Sequence, residues 1–176
     1  MSSFARRGSS ALEQCAFKSS KSRTMAALSR MDLSILRILE ADARISFAAL
    51  AERVGLSKSP CWSRVQALEK QGVITGYHAR LDAKALGKGL SVYALATVEF
   101  ARYEAFEAAV LRHPAITDCH STAGAGDYLL RIVAADVEDL DHLLRKELSQ
   151  MPGVQRYTTT VCMKAIKEGG LVTAGL

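Results

Sequence analysis

Cysteine, proline and long apolar runs are all scarce in this chain. The four cysteines, Cys15, Cys61, Cys119 and Cys162, stand far apart, with no Cys-x-x-Cys pair. Neither a structural zinc nor a disulfide framework is expected from that spacing, and a reducing cytoplasm is the default compartment. The longest uncharged apolar stretch, Gly89 to Val98, falls far short of the ~20 residues that span a bilayer. No membrane-spanning segment is expected. Only three prolines punctuate 176 residues of which 49% are apolar, so a folded core is within reach and disorder throughout is excluded. Catalytic signatures are missing too: there is no metal cluster, phosphate-binding glycine loop or nucleophile motif. The expectation is therefore of a protein that is not an enzyme and carries no cofactor or metal.

The net charge of +5 is not spread along the chain. Arg6, Arg7, Lys18, Lys21, Arg23 and Arg30 oppose Glu13 alone, and the remaining 17 basic and 17 acidic residues cancel. Beyond residue 30 the chain is weakly basic up to Gly89 and weakly acidic after it, which suggests two modules with different partners. Residues 1–27 have no sustained apolar periodicity and are expected to form a basic tail without a core. Three readings stand for it: a start codon placed upstream of Met25 or Met31, a mitochondrial presequence, or an arm touching DNA phosphates.

From Leu33 the pattern is helical, with Leu33, Ile35, Leu36, Ile38 and Leu39 on a broad apolar face and Asp32 as its expected cap. Ser46 caps a second helix with Leu50, Ala51 and Val54 inward, and Gly55 stops it. Only Leu56 and Ser57 precede a third helix, where Pro60 is tolerated in the first turn. Its inner face is Cys61, Val65 and Leu68. This is a helix-turn-helix arrangement. Lys58, Ser59, Trp62, Ser63 and Gln66 fall on the outward face, with Arg64 toward one flank. Such groups bond phosphates or base edges when a recognition helix enters a major groove; the bland alternative is a solvated helix face.

A β-prone stretch from Val73 to Leu81 leads to Gly87-Lys88-Gly89, read as a hinge. Thereafter Ser91 to Phe100 alternates as a strand with Val92, Ala94, Ala96, Val98 and Phe100 on one face. A helix over Tyr103 to His113 comes next, then strands over Ile116 to Thr122 and Tyr128 to Val133. A helix capped by Asp136 carries Val137, Leu140, Leu143, Leu144 and Leu148, and a final strand covers Val154 to Ile166. The order βαββαβ is that of a ferredoxin-like sandwich. The expected fold is thus α+β: a three-helix winged helix-turn-helix domain over 28–72, a β-hinge over 73–89, a sandwich over 90–167 and a short tail over 168–176.

Several segments in this order resemble the leucine-responsive and asparagine-responsive (Lrp/AsnC) bacterial transcription regulators. They are Leu33-Ser34-Ile35-Leu36, Asp42-Ala43-Arg44-Ile45-Ser46, Leu50 to Ser57, Pro60 to Val65, Leu68 to Ile74, Gly124-Ala125-Gly126-Asp127-Tyr128-Leu129-Leu130, and Leu148 to Val154. The resemblance covers Met31 to about Lys167. It implies duplex DNA as partner, with pseudo-palindromic operators, and a second domain that dimerises, assembles to octamers and binds a small effector, usually an amino acid. It assigns Asp127 to the effector ammonium, with Thr122, Gly124, Gly126 and Tyr128 around it; without it, the same loop reads as a plain hairpin turn. The family often has an aromatic residue where Gly126 stands, and the glycine is expected to widen the site and loosen the loop.

Two other classes are weighed against this one. An RNA-recognition sheet would need a basic aromatic sequence on a central strand, which Leu129-Leu130-Arg131-Ile132-Val133 does not supply. An enzyme using Asp127 and His120 ranks last, since the sequence has no metal cluster, phosphate-binding glycine loop or nucleophile motif. A Cys119-His120 pair is disfavoured because strand neighbours point to opposite faces, and His78, His113 and His142 read as surface groups.

Overall fold

A computed structural model describes residues 28–176; the basic stretch 1–27 lies outside the described residues. The described chain forms two compact units, residues 81–165 on one side and residues 28–80 with 166–176 on the other.

The first of these in sequence is a three-helix head. Helix α1 (Arg30–Ala41) begins with a capping box in which the Ser29 hydroxyl accepts from the Asp32 amide at 3.1 Å and the Asp32 carboxylate accepts from the Ser29 amide at 3.0 Å. Asp32 is therefore not the cap residue but its reciprocal partner in the first turn, and Ser29 is the cap. In α2 (Phe47–Val54) Ser46 caps as expected, accepting from the Ala49 amide at 3.2 Å. Gly55 ends the helix at φ 71°, a left-handed conformation that costs glycine nothing. Helix α3 (Lys58–Lys70) starts three residues later. Ile35, Leu39, Leu50, Ala51, Cys61, Val65 and Leu68 form the head's core. The small side chain of Ala51 is buried in it beside Leu50.

The β-prone stretch after α3 is not a strand. Once Gly72 turns the chain at φ 71°, the Val73 and Ile74 amides both donate to the Leu68 carbonyl. Those donors are spent in closing the helix, and residues 73–89 hold no strand. The expected β-hinge is thus a linker without a ladder, because β-propensity without a neighbouring strand leaves backbone groups unpaired. Its far end is folded instead: the Asp82 carboxylate accepts from the Lys84 and Ala85 amides, and Gly87 turns at φ 74°.

The second unit is a four-stranded antiparallel sheet in the order β2-β3-β1-β4, with β1 Leu90–Val98, β2 Ile116–Ser121, β3 Tyr128–Ala134 and β4 Val154–Val161. Val92, Ala94, Ala96 and Val98 of β1 and Tyr128, Leu130, Ile132 and Ala134 of β3 are buried on one face, under α4 (Tyr103–Val110) and α5 (Val137–His142). Phe100 does not continue the alternation: it starts a short 3-10 turn and is 85% exposed. Val137, expected inward, is also exposed, since it occupies the first turn of α5. The helix after Asp136 is not uniform either. Residues Leu143–Glu147 form a π turn and Leu148–Gln150 a 3-10 turn, which brings Leu140, Leu143 and Leu148 all into the core despite a five-residue gap that α-geometry would rotate away. β4 stops at Val161 rather than Ile166. His113 is not a surface group: its side chain is 11% exposed and its Nε2 lies 3.0 Å from the Glu147 carboxylate.

Residues 166–176 return to the head, where a 3-10 turn (Val172–Gly175) lies against α1.

Candidate nucleic-acid interface and effector loop

The sequence of α3 divides the helix lengthwise. Cys61, Val65 and Leu68 are buried, so the 3.6-residue period turns Ser59, Ser63 and Gln66 to the opposite side with Trp62 on its flank. Lys58, three residues before Cys61, is in line with the buried stripe and is exposed only because it opens the helix. Lys58, Ser59, Trp62, Ser63, Arg64 and Gln66 are all exposed, and Trp62 leaves half its surface in solvent. At 13 residues the helix is about 20 Å long, a length that a major groove accepts. The six residues are brought together on one element, but they are not equally available. Arg64 reaches back to α1 and pairs with Asp32 at 3.0 Å. Gln66 donates to Glu69 at 2.8 Å, and Glu69 also accepts from the Tyr77 hydroxyl at 2.9 Å. Burial, reinforced by that carboxylate, pushes the Tyr77 phenol up to about 12. Ser57 precedes α3 without bonding its first amides, unlike Ser29 and Ser46 on the other two helices.

The loop between β2 and β3 is closely bonded. The Thr122 amide donates to the Asp127 carbonyl, the Thr122 hydroxyl to the Gly126 carbonyl at 2.7 Å, and the Asp127 amide to the Ala96 carbonyl at 2.8 Å. The Asp127 carboxylate accepts from the Val98 amide at 2.8 Å and from the Tyr103 hydroxyl, which is held above its ordinary phenol value in consequence. Gly126 is buried, and a Cβ there would lie 2.6 Å from Cγ of Leu95 and 3.1 Å from the Ala96 carbonyl. Its glycine therefore seats the loop against β1; it neither widens nor loosens it. Thr122 and Gly124 are exposed. Tyr128 lies on the covered face of the sheet, with its ring against Phe106 and Tyr103 and its hydroxyl donating to Glu107 at 2.7 Å. Burial and that carboxylate raise its phenol strongly. Glu107, Glu69 and Asp32 carry no periodic signal in the sequence, because each works through a partner on another element or in another turn.

Burial and Glu107 push the Cys119 thiol up to about 11, so it stays protonated at neutral pH and is no nucleophile. Among the described residues no three His, Cys, Asp or Glu side chains are placed to hold a metal ion, and no helix is long and apolar enough to cross a membrane.

Comparison with known proteins also finds two domains, the second running past residue 165 into the segment that the structure groups with the head. The family model described as a winged helix-turn-helix DNA-binding domain matches residues 28–75, and that of the Lrp/AsnC ligand binding domain matches residues 91–172. The leucine-responsive regulatory protein of Salmonella typhimurium is 40% identical over 152 residues, which is 85% of this chain and 93% of that protein. The transcriptional regulatory protein DoeX of Halomonas elongata is 40% identical over 143 residues, 80% of this chain and 90% of that protein. A transcriptional regulator of Neisseria meningitidis, solved as an L-Met complex, superposes with a TM-score of 0.79 at 30% identity, covering 83% of this chain and 96% of that one. With a helix-turn-helix head, a ligand-binding sandwich and full-length relatives of this kind, the chain belongs to the Lrp/AsnC family of transcription regulators and is not an enzyme.

Proposed function

We propose that this regulator reads pseudo-palindromic duplex DNA as a homodimer, which assembles further to an octamer, and that it controls amino-acid metabolism genes in the cytoplasm in response to an amino acid. One observation carries the DNA reading: α3 buries Cys61, Val65 and Leu68 and turns Lys58, Ser59, Trp62 and Ser63 to solvent. Lys58 and Arg64 contact phosphates, and Ser59, Ser63 and Gln66 reach base edges. Trp62 adds apolar contact. Arg64 and Gln66 exchange their bonds to Asp32 and Glu69 for bonds to DNA. A dimer sets two α3 helices in successive major grooves ~34 Å apart. Selection from a randomised duplex pool, followed by anisotropy titration, tests this; indifference to inverted-repeat half-sites spaced by one turn would remove it.

The effector site is the β2–β3 loop, with Asp127 accepting the ammonium and Thr122, Gly124, Gly126 and Tyr128 around it. The L-Met complex of the Neisseria relative supports a small-molecule ligand of this class. The Asp127 carboxylate already serves Val98 and Tyr103, so the ammonium is a third donor to the same group, within the capacity of a carboxylate's four lone-pair sites. Calorimetry with the twenty amino acids, coupled to light scattering, is the test. Retained affinity in Asp127→Ala would reassign the site.

A further inference from the structure

The chain passes between the head and the sandwich twice, after Arg80 and again at Ile166, and the segment beyond the second passage is bound to the head by groups that the DNA reading does not use. Glu40, in the last turn of α1, accepts from the Val172 amide at 2.7 Å, the Thr173 amide at 2.9 Å and the Thr173 hydroxyl at 2.6 Å. One carboxylate thus serves the first donors of the Val172–Gly175 turn, as a capping side chain serves a helix. Arg37, one turn earlier on α1, donates its guanidinium to the main-chain oxygen of Leu176. Thr173 is buried by this seat, at 8% exposure, and with Val172 and Leu176 it lines a cavity of about 540 Å³ whose other walls include Leu36, Leu39 and Ile74. The two passages are also tied to each other: Arg80 donates to the Glu168 carbonyl at 3.3 Å. Gly169, at φ 55°, leaves the guanidinium room that a Cβ, 2.7 Å from its central carbon, would take.

We infer that residues 171–176 are a latch for the α1 face of their own chain's head, so that the reading head is held by two tethers, the linker and the latch, rather than by the linker alone. The bonds are directional, come from three donors on two successive residues to the two oxygens of one carboxylate, and leave the outward face of α3 untouched. A head on one flexible linker samples orientations widely; a closed second connection shortens the effective loop and narrows them.

Trp62 is the single tryptophan of the chain and sits on the head, so its fluorescence anisotropy decay reads head motion directly. The variants are Glu40→Ala, Thr173→Val and a chain ending at Gly170, each checked for head helicity by circular dichroism. The full chain is expected to show slow amide exchange at Val172 and Thr173 and little nanosecond depolarisation of Trp62. Glu40→Ala is expected to raise exchange at both amides at least tenfold and to add a nanosecond depolarisation component, which the shortened chain reproduces in full. Free-peptide exchange rates at Val172 and Thr173 in the unaltered chain, or identical Trp62 decays in all four proteins, would overturn the inference.

Discussion

Single side chains in this molecule are defined by what already holds them. Arg64 and Lys58 both belong to the proposed phosphate set, and Arg64 is already paired with Asp32. Lys58→Ala should lower the slope of log affinity against log salt by about 0.9, one phosphate contact. Arg64→Ala should lower it equally while also freeing Asp32; equal slopes for both variants and the parent, in titrations at several salt concentrations, would remove the two residues from the interface. Gly126 presents the opposite case, a residue with no side chain in a place with no room. Gly126→Ala forces a methyl against Leu95 and the Ala96 carbonyl and should cost about 1–3 kcal/mol of sandwich stability in urea unfolding. The family pattern raised the question of this glycine, but only the depth of the loop against β1 answers it, and loop depth has no signature in a single sequence.

At the scale of elements, the serines that precede the three helices look alike in the sequence and differ in use. Ser46 bonds the Ala49 amide, whereas Ser57 makes no cap bond. Ser46→Ala should therefore lower head stability by about 1 kcal/mol, and Ser57→Ala by much less, compared by thermal unfolding. The start of α1 carries a pH dependence. Burial works to raise the Asp32 carboxyl, but hydrogen bonds from Ser29 and Arg64 outweigh it and hold the group below its ordinary value. A depressed carboxylate stabilises the folded head fully above its unfolded pKa, and that contribution is lost as pH falls through the lower folded one. An NMR titration of Asp32 should show the depression, and should show it partly relieved in Arg64→Ala or on DNA binding, if Arg64 transfers to phosphate. The helices and stops of the head were readable from apolar spacing and from Gly55 and Pro60, and so was the Ser46 cap. The cap of α1 was not, because Ser29 and Asp32 share a capping box and either could have been the cap. The stretch 73–81 was misleading, because β-branched residues signal a strand only where a neighbouring strand exists. The π turn at Leu143–Glu147 was equally hidden, since the leucines fit one continuous helix in the sequence and the five-residue gap declares itself only in the packing.

For the molecule as a whole, the order of elements and the identity of both halves were legible in periodicity and in the seven family-like segments. The destination of residues 166–176 was not: nothing in Val172-Thr173 announces a partner as far away as Glu40. The sheet, finally, is covered on one side only. That side is closed by α4 and α5, but on the other Leu95, Leu129 and Val133 are only half-buried, and Tyr93 is more than two-fifths exposed. If two copies meet there, as the proposed homodimer requires, unfolding includes dissociation. Melting temperature should then climb with protein concentration across calorimeter runs from micromolar to millimolar, and a flat series would mean that each protomer stands alone. For such a protein, mere dilution acts as a mild denaturant, and cellular abundance becomes part of what keeps it intact.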